Sequence, residues 1–363
     1  MQFQLTRNKK NGPVVGLDIE AGSIAATEVR VNGAVEVVGS AIGPLEPGAF
    51  QEGEVLDADI LADALKSLFS KNKLAKQVRL GIGNQRLVVR TLRLPAIEDP
   101  KEMDQAIQFQ AQEQMPMPLD QAVLEHQVVG GVPAEEGAAP QVDVVVAAAR
   151  RDMISSFVQP LRRAGLEPVG IDLSVFAMIR ALSGVTAAPA GEQPQAQGQF
   201  ETVLYCNVGD VTNLAVAHGR ACLFARVSPV GLAAISSRFG TTHGLSPEHA
   251  DQWLAHVGLE QPLEAVEGDP QIVADARRYL EEGVTGLIDE LRLSLDYYGS
   301  QEGTLPAQRI VVCGPGVAIP GLVARMEAGL PYPVVVGRPS ALDGFDPNVA
   351  ARLTLPFGLA LEQ

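Results

Sequence analysis

The chain has 363 residues, 43 acidic against 28 basic, and a formal net charge of −15. A field of that sign repels phosphate backbones and anionic lipid, so it excludes a bulk nucleic-acid or membrane grip. It leaves room for one nucleotide held by a local cluster of backbone N–H groups. Hydrophobic residues make up 46%, enough for two or three separately cored domains at ~150 residues each. No uncharged apolar run approaches ~18 residues, which argues against a membrane span. The opening segment MQFQLTRNKKNGP carries charge and no apolar stretch, so no signal peptide is expected. Cys206, Cys222 and Cys313 are odd in number and sit in apolar surroundings. They read as buried thiols of a reducing, cytoplasmic compartment.

Taken in order, residues 14–19, 24–31 and 35–42 form three apolar runs separated by short turns. Asn32-Gly33 is a strong hairpin signal among them. Asp57 is a plausible N-cap for a helix that carries Leu61, Leu65, Leu68 and Phe69 at helical spacing, and a strand follows at 78–82. The texture then changes. A strand at 87–94 precedes a Gln-rich helix at 102–115, whose stripe is Met103, Ile107, Ala111 and Met115. Pro116 and Pro118 stop that helix, and strands at 122–129 and 142–149 follow. This β-α-β-β order predicts an inserted module with a Pro/Gly/Ala/Glu-rich loop at 130–141. A helix at 152–164 and a strand at 167–173 return to the first lobe, and the turn-rich segment 184–199 is the expected boundary.

Beyond it the opening pattern recurs. Strands at 203–208, 213–217 and 222–227 repeat the hairpin order, and placing Asp18 on Asn207 gives an offset of 189 residues. Duplicated halves of this kind imply two similar lobes facing each other across a cleft. Helices are expected at 231–239, 247–256, 270–298 and 321–329, with strands at 309–313 and 334–336. The expected division is 1–84 with 150–183 for the first lobe and 85–149 for the inserted subdomain. The second lobe is 200–363, with a helical part at about 236–295.

Three turns offer backbone donors to that cleft: Asp18 to Ser23, Asn207 to Thr212, and Cys313-Gly314-Pro315-Gly316. Singly, each is an ordinary turn composition. Together and in this order they resemble the phosphate-1, phosphate-2 and adenosine motifs of the actin-like ATPase superfamily. The closer resemblance is to the PilM family of type IV pilus assembly. The opening GLDIEAGSIAATE resembles that family's first motif, and EQMPMPLDQAVL (113–124) its inserted module. VVAAARR, AGLEP, SPVG, ELRLSLDYY, IPGL and GLAL follow in family order.

The resemblance implies a duplicated, ribonuclease H-like two-lobed α/β fold. It implies candidate nucleotide contacts at Asp18, Gly22, Ser23, Gly209, Thr212, Asn213, Glu290, Ser294, Gly314 and Gly316, for ATP or ADP, with Mg²⁺ near Asp18. It further implies a cytoplasmic adaptor at the inner membrane, binding the N-terminal tail of a PilN-like bitopic protein in a groove between first lobe and module. The strip from Glu102 to Leu124 is the region to search for that groove.

The departures fall on nucleotide chemistry. Glu20 replaces a Gly, Ala25 a Lys and Asn207 an Asp, and Pro315 interrupts a Gly-Gly pair and removes a backbone donor. A carboxylate at Glu20 adds repulsion of ~1–4 kcal/mol toward a phosphate at 4 Å, so little or no hydrolysis is expected. The alternatives from other classes are a nucleotide-hydrolysing or phosphotransfer enzyme of the same superfamily, and an FtsA-like or type II secretion platform protein. The final residues FGLALEQ are not the amphipathic tail expected of an FtsA-like chain.

Overall fold

The computed structural model describes residues 3–4, 12–132, 140–183, 200–301 and 303–361. The expected boundary at 184–199 and most of the 130–141 loop lie outside these residues. The first half runs through β1 (Phe3–Gln4), β2 (Val14–Glu20), β3 (Ser23–Val31), β4 (Val35–Pro44), β5 (Phe50–Gln51), β6 (Glu54–Val55), α1 (Ala58–Asn72) and β7 (Gln77–Ile82). The inserted module is β8 (Val88–Pro95), α2 (Pro100–Gln114), β9 (Ala122–Val132) and β10 (Gln141–Arg150). Then α3 (Arg151–Arg163), β11 (Glu167–Leu173) and α4 (Ser174–Leu182) complete the half. The second half has β12 (Thr202–Val208), β13 (Thr212–His218), β14 (Ala221–Ser228), α5 (Leu232–His243), α6 (Pro247–Val257), α7 (Pro270–Gly299), β15 (Arg309–Cys313), α8 (Leu322–Gly329), β16 (Val334–Val336) and α9 (Pro347–Ala360).

The duplication read from the sequence is a duplication of topology. The first sheet is ordered β1-β11-β7-β2-β3-β4 and the second β14-β13-β12-β15-β16. In each, an antiparallel three-strand meander is extended by two parallel strands. Asp18 faces Ala25 across the first hairpin and Asn207 faces Asn213 across the second, so the 189-residue offset holds on the first strand of each pair and the second hairpin is one residue shorter. The module is a separate three-stranded sheet, β8-β10-β9. Asp99 caps α2 by accepting from the N–H groups of Lys101 and Glu102. Met103, Ile107, Ala111 and Met115 then bury against Leu92, Leu94, Val144 and Val146 in a core of their own. The methionines at 103 and 115 are therefore packing residues.

Two helices that the sequence reading did not identify, α4 and α9, hold the halves together. Helix α9 lies against β2, β3 and β7 of the first lobe although it ends the second, while α4 reaches β12, β13 and β14. Helix α9 thus packs on strands of the first half and also touches β15 of the second. The two helices cross so closely that a Cβ on Gly358 would collide with the Ala177 carbonyl. Arg180, paired with the buried Asp172, donates to the Gly358 carbonyl (3.1 Å), and Arg79 Nη1 donates to Leu359 (2.8 Å) and Leu361 (3.0 Å). Two cations on the last carbonyls of α9 complement its dipole and fix the helix relative to the cleft.

Candidate functional site

The hairpin turns meet at the cleft, as the pairing of the halves requires. A pocket there is lined by Asp18, Glu20, Ser23 and Ala25 from the first lobe, Asn207, Gly314 and Pro315 from the second, and Ala351, Arg352 and Leu355 from α9. Its free volume is about 10 Å³, room for a single water.

The contacts across the pocket are crosswise. The Ala21 N–H, in the first turn, donates to Asp210 Oδ2 of the second. The Asp210 N–H donates back to Glu20 Oε1 at 3.4 Å. Glu20 comes so near the second turn that a Cβ on Gly209 would meet Oε1, and the flexible Glu20 side chain would have to move aside. At Gly314, with φ +88°, a Cβ would likewise collide with Asn207 Oδ1. Arg352 Nη2 donates to Ser23 Oγ. Among the described residues lining the pocket, Arg352 is the one basic side chain. Burial first, and then the neighbouring Asp210 charge, push the Asp18 carboxyl up from 3.8 to about 7, with Arg352 opposing. Glu20 and Asp210 are also raised, burial again being the largest cause.

The remaining candidate residues divide between this pocket and other places. Gly22 sits at the exposed tip of the first turn with open space around it. Gly316 packs on Val208. Thr212 Oγ1 donates to the Val230 carbonyl (2.6 Å), holding the segment that leads into α5. Asn213 lines a second recess, between lobes and module, with Ile82, Leu87, Val89 and Arg226. Glu290 and Ser294 are not brought to the pocket. They lie on α7 and bind Arg226 of β14, which pairs Glu290 at 2.8 Å and donates to Ser294 Oγ at 3.3 Å. Leu214, opposite Arg226 in the sheet, belongs to the core under α7, whereas Asn207 is on the cleft side. The second sheet therefore stands between those two residues and Asp18.

Arg352 brings a positive charge into the pocket beside Ala25, and sequence reasoning missed it because nothing local links position 352 to position 25. Asp210 was visible within the second turn, but its reach to the opposite lobe was not. As arranged, these residues do not fit a Mg²⁺-triphosphate. The turn amides at 21 and 210 already meet carboxylates, and no water-sized space beyond about one molecule remains. Among the described residues no group of three or more His, Cys, Asp or Glu is placed to hold a metal.

In the strip from Glu102 to Leu124, Phe109 projects into solvent at 68% exposure while the opposite face of α2 is buried. No helix among the described residues is long and apolar enough to cross a membrane. Among solved structures, the chain is similar to a PilM–PilN type IV pilus biogenesis complex, at 24% identity over 97% of this chain and 98% of that one, with a TM-score of 0.78. It is also similar to the ethanolamine utilization protein EutJ of Carboxydothermus hydrogenoformans, at 14% identity, 97% and 90% coverage and a TM-score of 0.55. ADP-bound MreB5 of Spiroplasma citri matches at 11% identity, 96% and 95% coverage and a TM-score of 0.52. These likenesses establish the two-lobed actin-like fold. The model of the family described as type IV pilus assembly protein PilM matches residues 16–355, and the chain belongs to that family.

Proposed function

We propose that the chain is a cytoplasmic adaptor of a type IV pilus assembly platform, binding the N-terminal tail of a PilN-like membrane protein and working with little or no nucleotide turnover. The observation that carries this reading is the contrast between an inserted module with a closed core and a cleft whose phosphate turns bind each other's carboxylates. The similar PilM–PilN complex supplies the partner class. A tail laid between first lobe and module gains backbone hydrogen bonds and side-chain pockets, as extended peptides do in other grooves. Because the chain carries no spanning helix among its described residues, such a tail would bring it to the inner membrane.

The test is fluorescence anisotropy of a labelled synthetic N-terminal tail of a PilN-like protein from the same organism, titrated with the full chain. Saturable binding that a scrambled tail does not reproduce is expected. Equal anisotropy with both peptides would sink the adaptor reading.

A further inference from the structure

The two phosphate turns differ at matched positions in a complementary way. By the 189-residue offset, Glu20 corresponds to Gly209 and Ala21 to Asp210. Each turn thus carries one carboxylate beside one small residue, in opposite order. Across the cleft, the Glu20 carboxylate lies against Gly209 and accepts from the Asp210 amide, and the Asp210 carboxylate accepts from the Ala21 amide. Carboxylate oxygens on turn amides are the contacts that phosphate oxygens make in a backbone nest. Here both oxygens come from the opposite lobe of the same chain.

We propose that Glu20 and Asp210 form an interlobe latch that takes the place of nucleotide: it holds the cleft shut and excludes polyphosphate from both turns. Arg352 is the counter-ion of the latch. It reaches the pocket from α9, donates to Ser23 Oγ and stands beside Ala25, the position from which the basic residue is missing. A polyphosphate entering this pocket would have to displace two tethered carboxylates and compete with their oxygens for the same turn amides. The tethered groups need no translational entropy to bind, so the closed form is available without ligand. The latch does not depend on the peptide-partner reading, since neither carboxylate lies in the module.

Hydrogen exchange followed by mass spectrometry on the full chain tests the crossed geometry. Asp210→Ala should accelerate exchange in the peptide containing Ala21, in the other lobe, by at least tenfold. Glu20→Gly should do the same for the peptide containing Asp210. Unchanged exchange at both would overturn the latch. Should the alanine variant fail to fold, Asp210→Asn carries the test. It keeps an acceptor but loses the charge, so Ala21 should still exchange faster than in the parent, and equal exchange overturns the proposal.

Calorimetric titration with ATP, with and without Mg²⁺, tests exclusion. The parent should give no heat up to millimolar ligand. The Glu20→Gly/Asp210→Ala double variant should bind at least tenfold more tightly than that limit, and adding Arg352→Ala should reverse the gain. Parent binding as tight as the double variant's would overturn exclusion, and a triple variant as tight as the double would overturn the role of Arg352. Tail anisotropy on the same samples separates the two readings. A tail that binds no variant and not the parent removes the adaptor, while the exchange data still judge the latch.

Discussion

The inserted module and the interlobe cleft are built on opposite principles. The module closes over Leu92, Ile107, Ala111 and Val144, all fully buried, with α2 capped by a single aspartate. Its order rests on apolar burial, worth ~1.5–3 kcal/mol per large side chain, and is indifferent to pH. The cleft is ordered by Asp18, Glu20, Asp210 and Arg352, whose charges must be balanced against one another in partial burial. Such a cluster is sensitive to protons, ligands and single substitutions. The module is thus ordered by apolar burial, and the cleft by polar groups that bind one another.

The largest way to break the contrast is Asp172→Ala. It strands Arg180, whose side chain is 7% exposed, and removes a support of the α4–α9 crossing. Loss of a buried partner costs about 3–5 kcal/mol, so urea unfolding should shift strongly and exchange should rise in α9. A shift below about 1 kcal/mol would show that the crossing does not rely on the pair. Ile107→Ala comes next, at about 2–4 kcal/mol of cavity cost. Hydrogen exchange should locate its effect in the module and leave β2 and β12 unchanged. Spread of the effect into the cleft would make the two regions one cooperative unit.

The pH dependence sharpens the comparison further. Asp18 is raised from 3.8 to about 7, so between those values the folded chain holds a proton that the unfolded chain has lost. Its contribution to stability is full below about pH 4 and is lost as pH rises through about 7. The groups facing it are Glu20, Asp210, Arg352 and Cys313, with Asp251 behind Asp210. Stability in urea should therefore fall between pH 5 and pH 8 by at least ~1.4 kcal/mol, the free energy of a tenfold change in proton affinity, and Asp18→Asn should flatten the slope. A slope unchanged in Asp18→Asn would assign the titration elsewhere. The smallest effect is on the module's surface. Phe109→Ala should alter stability by no more than about 0.5 kcal/mol, so any loss of tail affinity in that variant reports contact rather than unfolding.

Much of the fold was legible because its signals are local. The hairpins at Asn32-Gly33 and around residues 209–211, the α2 stripe and the long apolar face of α7 each satisfy a short-range period or turn rule. The strand limits shift by only a few residues between sequence and structure, and β11, β15 and β16 coincide with the expected spans. The helices α4 and α9 were illegible for a physical reason. Helix α4 is buried on nearly every side, and α9 carries Pro356 and Gly358 in its apolar second half, so neither shows a polar face to set a period. The candidate site was legible to the same extent. Asp18, Ser23 and Gly314 lie on hairpins that the offset aligned or on the adenosine turn, and all three line the pocket. Glu290 and Ser294 lie on a helix whose facing cannot be read without knowing which side of the sheet it covers.

By itself the sequence determined the duplicated hairpins, the inserted module and the family, since turn chemistry, apolar periodicity and ordered motifs act over short stretches of chain. Only the tertiary structure decided that α9 leaves its own half to cover β2 and β3, that Arg352 thereby reaches Ser23 in the pocket, and that Asp210 reaches Ala21. Those contacts join residues 189 and 329 positions apart. Their partners are chosen by the packing of two helices across two sheets, a long-range constraint that no local pattern encodes.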